Sequence, residues 1–332
     1  MNESLQKAIA LAASSSPMGS ASVPITPNRI LLPDGDGLAY YCAGNDDTAP
    51  GEARANLLNK VTSARRISGC AEVEILATPS GSIKGHRYAI ATVKPYQGQR
   101  KGDRRPKNWQ YLRDLLESGS VGGMPVTMAQ DAEADDLFAE RSVDPTIEPV
   151  FYTQDKDMRM LTGYHLDWVS HRIHLHEGFS STFNDKLYGQ AWFWHQMLHG
   201  DAADNIPGLP YINEEVYPGK TKQVRIGEVR AGRLLISDRP SFAIVSEAYA
   251  NCYGDKWLTA MMEQACLLWL QRSPGRWDDC CALGGPLHEF IARPEFAEAY
   301  ATINDRVENA RSINKAAAEG GGDSDHSSAA IV

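Results

Sequence analysis

Three short apolar runs punctuate the first half of the chain: "RILLPD" (29–34), "VEILAT" (73–78) and "EPVFYTQD" (148–155), each bounded by turn residues. Runs of that length and setting have the pattern of strands buried in a sheet. Between them, apolar positions recur at helical spacing over about residues 51–68, 108–118 and 131–141. Strands alternating with helices predict an α/β fold with a mostly parallel central sheet flanked by helices. Past Asp201 the strand signals fade, and "SFAIVSEAYANCYG" (241–254) and "KWLTAMMEQACLLWLQR" (256–272) predict amphipathic helices. The chain thus divides into an α/β part over 29–200 and a helical part over 201–315. Residues 1–28 read as a short helix and a Ser/Pro-rich linker, and the small, polar, Gly-rich 316–332 as a disordered tail. There is no internal repeat.

Composition narrows the class. With 332 residues, 42% of them hydrophobic and 23% charged, the chain can bury a sizeable core as a globular protein. No apolar run approaches the ~20 residues that cross a bilayer, so no membrane is expected as a partner. The apolar core of "MNESLQKAIALAASSS" is too short for a secretory signal. Six cysteines, including the adjacent Cys280 and Cys281, make no CxxC pair and no disulfide framework, which points to a reducing cytoplasm. The net charge of -9 argues against a protein that coats nucleic acid over its whole surface. Charge is nevertheless segregated. Lys84, Arg87, Lys94, Arg100, Lys101, Arg104, Arg105, Lys107 and Arg113 face a single acid, Asp103, within one stretch.

Four acidic clusters fall at strand and helix ends. "LLPDGDG" puts Asp34 and Asp36 at the end of the first strand, where ligand sites form in open parallel sheets. "DAEADDLFAE" sets Glu133 and Asp136 three apart on one helical face, with Asp135 beside them. "YTQDKDMRML" places Asp155 and Asp157 just after a strand, and "HGDAADNIPGLP" places Asp201 and Asp204 where a helix gives way to a loop. Singly, each has an ordinary explanation as a turn, a solvated helix start, a loop or a cap. Gathered at one crevice, like charges repel unless a cation binds there. Hard divalent cations take oxygen ligands, and two of them ~4 Å apart clamp the attacking and leaving oxygens of a phosphodiester. A carboxylate-lined site beside a basic segment points to a nuclease.

In this order, "DGDGLAYY", "AEADD", "TQDKDMRML" and "GDAADNIPG" resemble the 5′-nuclease superfamily. It includes flap endonucleases, the 5′-nuclease domain of bacterial DNA polymerase I and phage 5′→3′ exonucleases. The likeness covers roughly residues 28–270 and is nearest to the phage exonucleases that degrade duplex DNA in replication and recombination. It implies a 5′-nuclease/PIN-like domain followed by a helix-hairpin-helix-type DNA-binding region, in the host cytoplasm if the chain is phage-encoded. It also implies magnesium or manganese, as two ions. Asp34, Glu133 and Asp135 would hold the first, and Asp155, Asp157 and Asp201 the second, with Asp135 near both. Asp204 would act through water, and Asp136 as a supporting acid. The implied substrate is DNA with 5′ ends or flaps, with RNA–DNA hybrid as a further candidate.

The segment "KPYQGQRKGDRRPKNWQYLRDLL" (94–116) resembles the family's arch, placed at about residues 94–113. The family pattern there is a Tyr, a Lys, then an Arg. Tyr96 and Arg100 match it, and Gln97 stands at the Lys position, which leaves Lys94 or Lys101 to contact the scissile phosphate beside Arg100. An arginine forks onto phosphate oxygens as lysine cannot. Tyr96, Trp109 and Tyr111 suit base stacking, and Arg104, Arg105 and Lys107 suit phosphate contact. After "IPGLP", "YINEEVYPGKTKQVRIGEVRAGRLL" (211–235) departs from the family by an insertion that Lys220, Lys222, Arg225, Arg230 and Arg233 keep basic.

A second departure concerns the Asp that the family places after its second strand. Between Asp47 and Asp103 this chain has none. If "VEILATPS" is that strand, Pro79 or Ser80 stands at the position; if "RYAIATVK" is, Val93 or Lys94 does. Two rivals to an active DNA nuclease follow: a catalytically impaired DNA-binding protein of the same fold, and a PIN-like RNase. The histidines of "HRIHLHE" are not read as a zinc site. No cysteine partners them, and His174 and His176 alternate with Ile173 and Leu175 as the polar face of a half-buried strand would. His195 and His199 are assigned to packing or DNA contact, and Trp192, Phe193 and Trp194 to the core.

Overall fold

Leu31 and Leu32 are neighbours on the first strand, β1 (Thr26–Pro33), and both are fully buried, yet they enter different cores. That is the alternation of a strand covered on both faces. The structure, a computed structural model, describes residues 23–100, 104–236, 238–272 and 286–320. After β1 come β2 (Cys70–Val73), β3 (Ile75–Ala77), β4 (Ser120–Val121), β5 (Met124–Met128), β6 (Glu148–Tyr152), β7 (Gly163–Leu166) and β8 (Ile173–His176). The main sheet has the order β2–β1–β6–β7–β8, parallel throughout except for the antiparallel edge strand β8. β3, β5 and β4 make a second small sheet, tied to the end of β1 by a bridge between Asp34 and Leu76. This is the expected mixed α/β architecture with a parallel-rich centre.

One face of the sheet is covered by α1 (Gly35–Tyr41), α2 (Pro50–Ser68) and, beyond the short α3 (Arg87–Ile90), by α4 (Trp109–Glu117). Pro50 opens α2, and Ala53, Leu57, Val61 and Ala64 form its buried stripe. Gly69 ends it at φ +66°, where a Cβ would lie 2.6 Å from the Pro24 carbonyl oxygen. The other face carries α5 (Ala134–Ser142) and α6 (Gln190–His199), then α7 (Glu228–Leu235), α8 (Ser241–Tyr253), α9 (Trp257–Leu268), α10 (Pro286–Ile291) and α11 (Ala297–Gly320). Its core unites Leu32 and Phe151 of the sheet with Trp192, Phe193, Met261, Phe290 and Ile303. The C-terminal helices therefore share a core with the sheet, with no break in packing near residue 200.

Several expectations need correction. β1 begins at Thr26, inside the expected linker, and α11 runs to Gly320, past the expected start of the tail at 316. The rest of the expected N-terminal helix and of the tail lies outside the described residues. "RYAIATVK" contains helix α3, not a strand, so "VEILAT" is the strand segment, split into β2 and β3. α5 starts at Ala134, which makes Glu133 its cap rather than a helical neighbour of Asp136. Between the hairpin β9 (Ser181–Phe183)–β10 (Lys186–Tyr188) and the last helices lies a second antiparallel hairpin, β11 (Ile212–Tyr217)–β12 (Lys220–Val224). The insertion is thus a β-ribbon set in a region expected to be helical. In β8 the faces are reversed: His176 is buried while Ile173 and Leu175 are exposed. The β9–β10 hairpin covers the histidine face, where His174 stacks on Phe183 at 4.0 Å between ring centres.

Candidate active site

The sheet's register brings the first acids together. Pro33 pairs with Tyr152, so β1 and β6 end side by side, and the Asp34 N–H donates to the Tyr152 carbonyl at 3.1 Å. Asp34 caps α1, its Oδ1 accepting from Gly37 N–H at 2.9 Å, while Oδ2 accepts from the Thr153 hydroxyl at 3.0 Å. Two residues past Thr153, Asp155 turns at the same edge and accepts the Asp157 N–H at 2.8 Å. The N-terminus of α5 supplies Glu133 and Asp135, and the end of α6 supplies the loop carrying Asp201 and Asp204. That loop is closed by two 2.7 Å backbone hydrogen bonds between Asp201 and Ile206. It also needs glycine at its root. Gly200 has φ +76°, and a Cβ there would meet the Ile206 carbonyl oxygen at 2.3 Å.

Most of these acids already hold a cationic side chain. Arg87, fully buried, forks onto Asp136 at 2.9 and 2.7 Å and reaches Glu133 at 3.2 Å. Lys84 lies 3.0 Å from the other Glu133 oxygen, and the Tyr96 hydroxyl donates to Glu133 at 2.8 Å. Arg113 pairs with Asp36. Arg100 pairs with Asp204 at 2.7 Å, where the Gln97 amide also donates at 2.9 Å. Asp157, Asp201 and Asp204 come within 4.8 Å of one another, and Lys156 sits against them, 2.5 Å from Asp201 and 3.5 Å from Asp157. Only Asp34, Asp135 and Asp155 of the expected ligands have no Lys or Arg at ion-pair distance among the described residues.

Burial raises the acids of this cluster, those with an ion-pair partner and those without one alike. Burial pushes the Asp34 carboxyl up to about 7, reinforced by Asp36 and Asp155. Burial and then the charges of Asp155, Glu133 and Asp34 raise Asp135 well above the carboxylate range. Asp155 reaches solvent at the rim, yet the protein packed beneath it and nearby Asp201 and Glu133 raise it too. Asp157 and Asp204 are likewise raised, chiefly by burial, Asp204 to about 6. Asp34, Asp135 and Asp155 are carboxylate donors without a paired cation, whereas the acids among the described residues whose oxygens converge within 4.8 Å of one another are Asp157, Asp201 and Asp204. An all-oxygen environment of this kind suits a hard divalent ion such as magnesium or manganese.

The remaining expected residues are placed as follows. Asp136 is fully buried with both oxygens engaged by Arg87, Glu133 N–H and Gln271 N–H, so it braces the site and cannot ligate. Tyr96, expected to stack on bases, is buried, because its hydroxyl bonds Glu133 and Asp204. Lys94 is exposed, and Lys101 lies outside the described residues. Arg104 and Lys107 both reach Asp46, and Arg105 stacks over Trp109 at 4.0 Å. Lys220 and Lys222 are exposed on the β11–β12 ribbon, and Arg225, exposed too, directly follows it. The strand β3 ends at Ala77 and is followed by Thr78, with Pro79 and Ser80 next in the chain. The Thr78 N–H donates to Asp36 at 3.3 Å and its hydroxyl accepts from Ala134 N–H at 2.9 Å. The sequence reading missed the counter-ions Lys84, Arg87, Arg113 and Lys156. The first three lie in the basic stretch and Lys156 inside "DKD" itself, which was the available signal.

Comparison with solved structures bears on this arrangement. The D15 protein of bacteriophage T5, crystallised with metal ions, superposes with a TM-score of 0.50 at 14% identity, over 84% of this chain and 99% of that one. The T5 flap endonuclease in a product-type complex with DNA and metal ions gives 0.51 at 14% identity over the same shares. The chain has a 5′-nuclease fold. A zinc-bound T5 5′-exonuclease agrees, at a TM-score of 0.50 and 15% identity over 84% of this chain and 99% of that one. No protein-family model matches the sequence, and no curated protein does. Within this 5′-nuclease fold the acids lie at the C-terminal edge of the parallel strands, where open sheets bind ligands. No helix among the described residues is long and apolar enough to cross a membrane.

Proposed function

We propose that the chain is a divalent-metal-dependent nuclease that removes nucleotides from DNA 5′ ends or cuts 5′ flaps. The observation that carries this reading is the trio Asp34, Asp135 and Asp155, mutually repelling and short of a cation at the sheet edge. These three would hold the ion, which when bound supplies Lewis-acid polarisation of the phosphodiester. Arg100, half exposed and paired with Asp204, exchanges that carboxylate for a phosphate oxygen when DNA arrives. Lys94 and Lys101, close to Arg100 in sequence, would add positive charge. Arg104, Arg105 and Lys107 on the arch, with Lys220 and Lys222 on the ribbon and Arg225 directly after it, hold the DNA backbone. Water adds across the phosphodiester, leaving a 5′-phosphate and a 3′-hydroxyl.

The test is incubation with 5′-labelled duplex and flap DNA in magnesium, manganese or chelator. Cation-dependent release of labelled mono- or short oligonucleotides is expected, and RNA–DNA hybrids in parallel define the substrate range. The second reading is a DNA-binding protein without turnover. The lack of an Asp between Asp47 and Asp103, Gln97 in place of a lysine and the many ion-paired carboxylates favour it. Binding without cleavage under every divalent ion would establish that reading instead.

A further inference from the structure

Half of the acid cluster carries its own cation. Lys156 lies between two of the acids in sequence and folds back onto the next motif, its ammonium 2.5 Å from Asp201 Oδ2 and 3.5 Å from Asp157 Oδ1. Neutral donors add to this half of the cluster. The oxygen of Asp157 nearest Lys156, Oδ1, also accepts the buried Gln196 amide at 2.6 Å, and the other Asp201 oxygen, Oδ1, accepts Ala203 N–H at 2.8 Å. Asp204, the third of the group, is held by Arg100 and Gln97. Asp34, Asp135 and Asp155 receive only neutral donors where they receive any.

We propose that Lys156 is a tethered counter-ion filling the Asp157–Asp201 half of the cluster, so that this chain binds one divalent ion where its acids could hold two. The inference rests on the metal-dependent reading above and deepens it. An ammonium is a compact point charge with three donors and no acceptor. An ion ligated by Asp201 at the 2.0–2.6 Å typical of carboxylate oxygens would share with Lys156 an oxygen that already carries a 2.5 Å contact. Cation–cation repulsion then requires the lysine to leave. Its departure exposes the charge but forfeits a contact with an Asp201 side chain that is 1% exposed. Being adjacent to Asp157, Lys156 keeps a high local concentration at this place, against which an ion from solution must compete. Lys156 acts through the acids and touches no substrate, so it is a positioning residue.

The test is manganese titration of the full chain, counting bound ions from the free-ion electron paramagnetic resonance signal, for the wild type, Lys156→Met and Lys156→Arg. One Mn²⁺ is expected for the wild type and for Lys156→Arg. Two are expected for Lys156→Met, with affinity for the second ion raised at least tenfold. Circular dichroism melts accompany each titration; should Lys156→Met fail to fold, the wild-type and Lys156→Arg counts decide. Two ions of comparable affinity in the wild type, an unchanged count in folded Lys156→Met, or no binding to either protein would overturn the proposal. DNA cleavage is scored separately. A chain that binds one ion but cuts nothing removes the nuclease reading and leaves the role of Lys156 standing.

Discussion

At the scale of single residues, the site is a contest between burial and repulsion. Asp34 accepts two neutral hydrogen bonds, and its carboxyl is still pushed up to about 7. Asp135 has no hydrogen-bond donor among the described residues and is raised well above the carboxylate range by burial and four neighbouring acids. Replacing Asp135 by Asn removes, without changing shape, a carboxyl whose ionised form burial and the neighbouring acids disfavour. Metal-free Asp135→Asn is expected to be more stable than wild type by about 1 kcal/mol, as substitutions at strained functional sites often are. It should lose most of the thermal stabilisation that manganese gives the wild type and at least ~10²-fold in cleavage rate. Thermal melts with and without manganese check the first two outcomes and a DNA cleavage assay the third. A destabilised metal-free variant would count against repulsion at this position. The acids were legible in the sequence because each stands beside a strand end, helix start or turn. Their counter-ions were not. Arg87 meets Asp136 across 49 positions and Arg113 meets Asp36 across 77, distances over which local pattern carries no information.

At the scale of elements, alternation was readable and its sense was not. The β8 sequence shows two faces, but which face is inside depends on what packs against it. The β9–β10 hairpin and Phe151 surround the histidines of β7 and β8, leaving Ile173 and Leu175 in solvent. This placement has a pH signature. Burial lowers His165 from 6.5 to about 3 and His174 from 6.5 to about 4. A depressed histidine keeps its full stabilising contribution above the unfolded value and loses it as pH falls toward the folded one. The histidine contribution is therefore expected to be flat above pH 7 and to be lost progressively from about pH 6.5 toward 4. The raised carboxyls of Asp34 and Asp204 act in the opposite sense over the same window, so it is read as a difference between the melts of wild type and variant at each pH. His165, nearly inaccessible, would account for a few kcal/mol of that loss. His165→Phe, which cannot take up a proton, should gain stability relative to the wild type as pH falls from about 6.5 toward 4; a variant with the wild-type pH profile would exclude His165 as the cause. The ribbon β11–β12 was legible only as a basic insertion. Its exposed strands lack the buried alternating face that identifies a strand.

At the scale of the whole molecule, the α/β part and the later helices are one packed unit. Met261 and Phe290 share a core with Leu32 and Phe151, and the Thr92 backbone N–H is held by Glu263 at 2.7 Å. The segment leading to the arch is thus anchored to α9, and beyond it Gln97, Gln99 and Arg100 lie on the Asp201–Asp204 loop. The strand–helix alternation revealed the α/β class. The shared core was invisible, since amphipathic stripes say that a helix packs without saying on what. Every functional consequence depends on the sheet edge and the α5 start converging on one cation. The most direct measurement is anomalous diffraction at the manganese edge from crystals soaked in Mn²⁺. A peak bounded by the carboxylates of Asp34, Asp135 and Asp155 is the expected result; no peak there, or manganese only on another face, would contradict it.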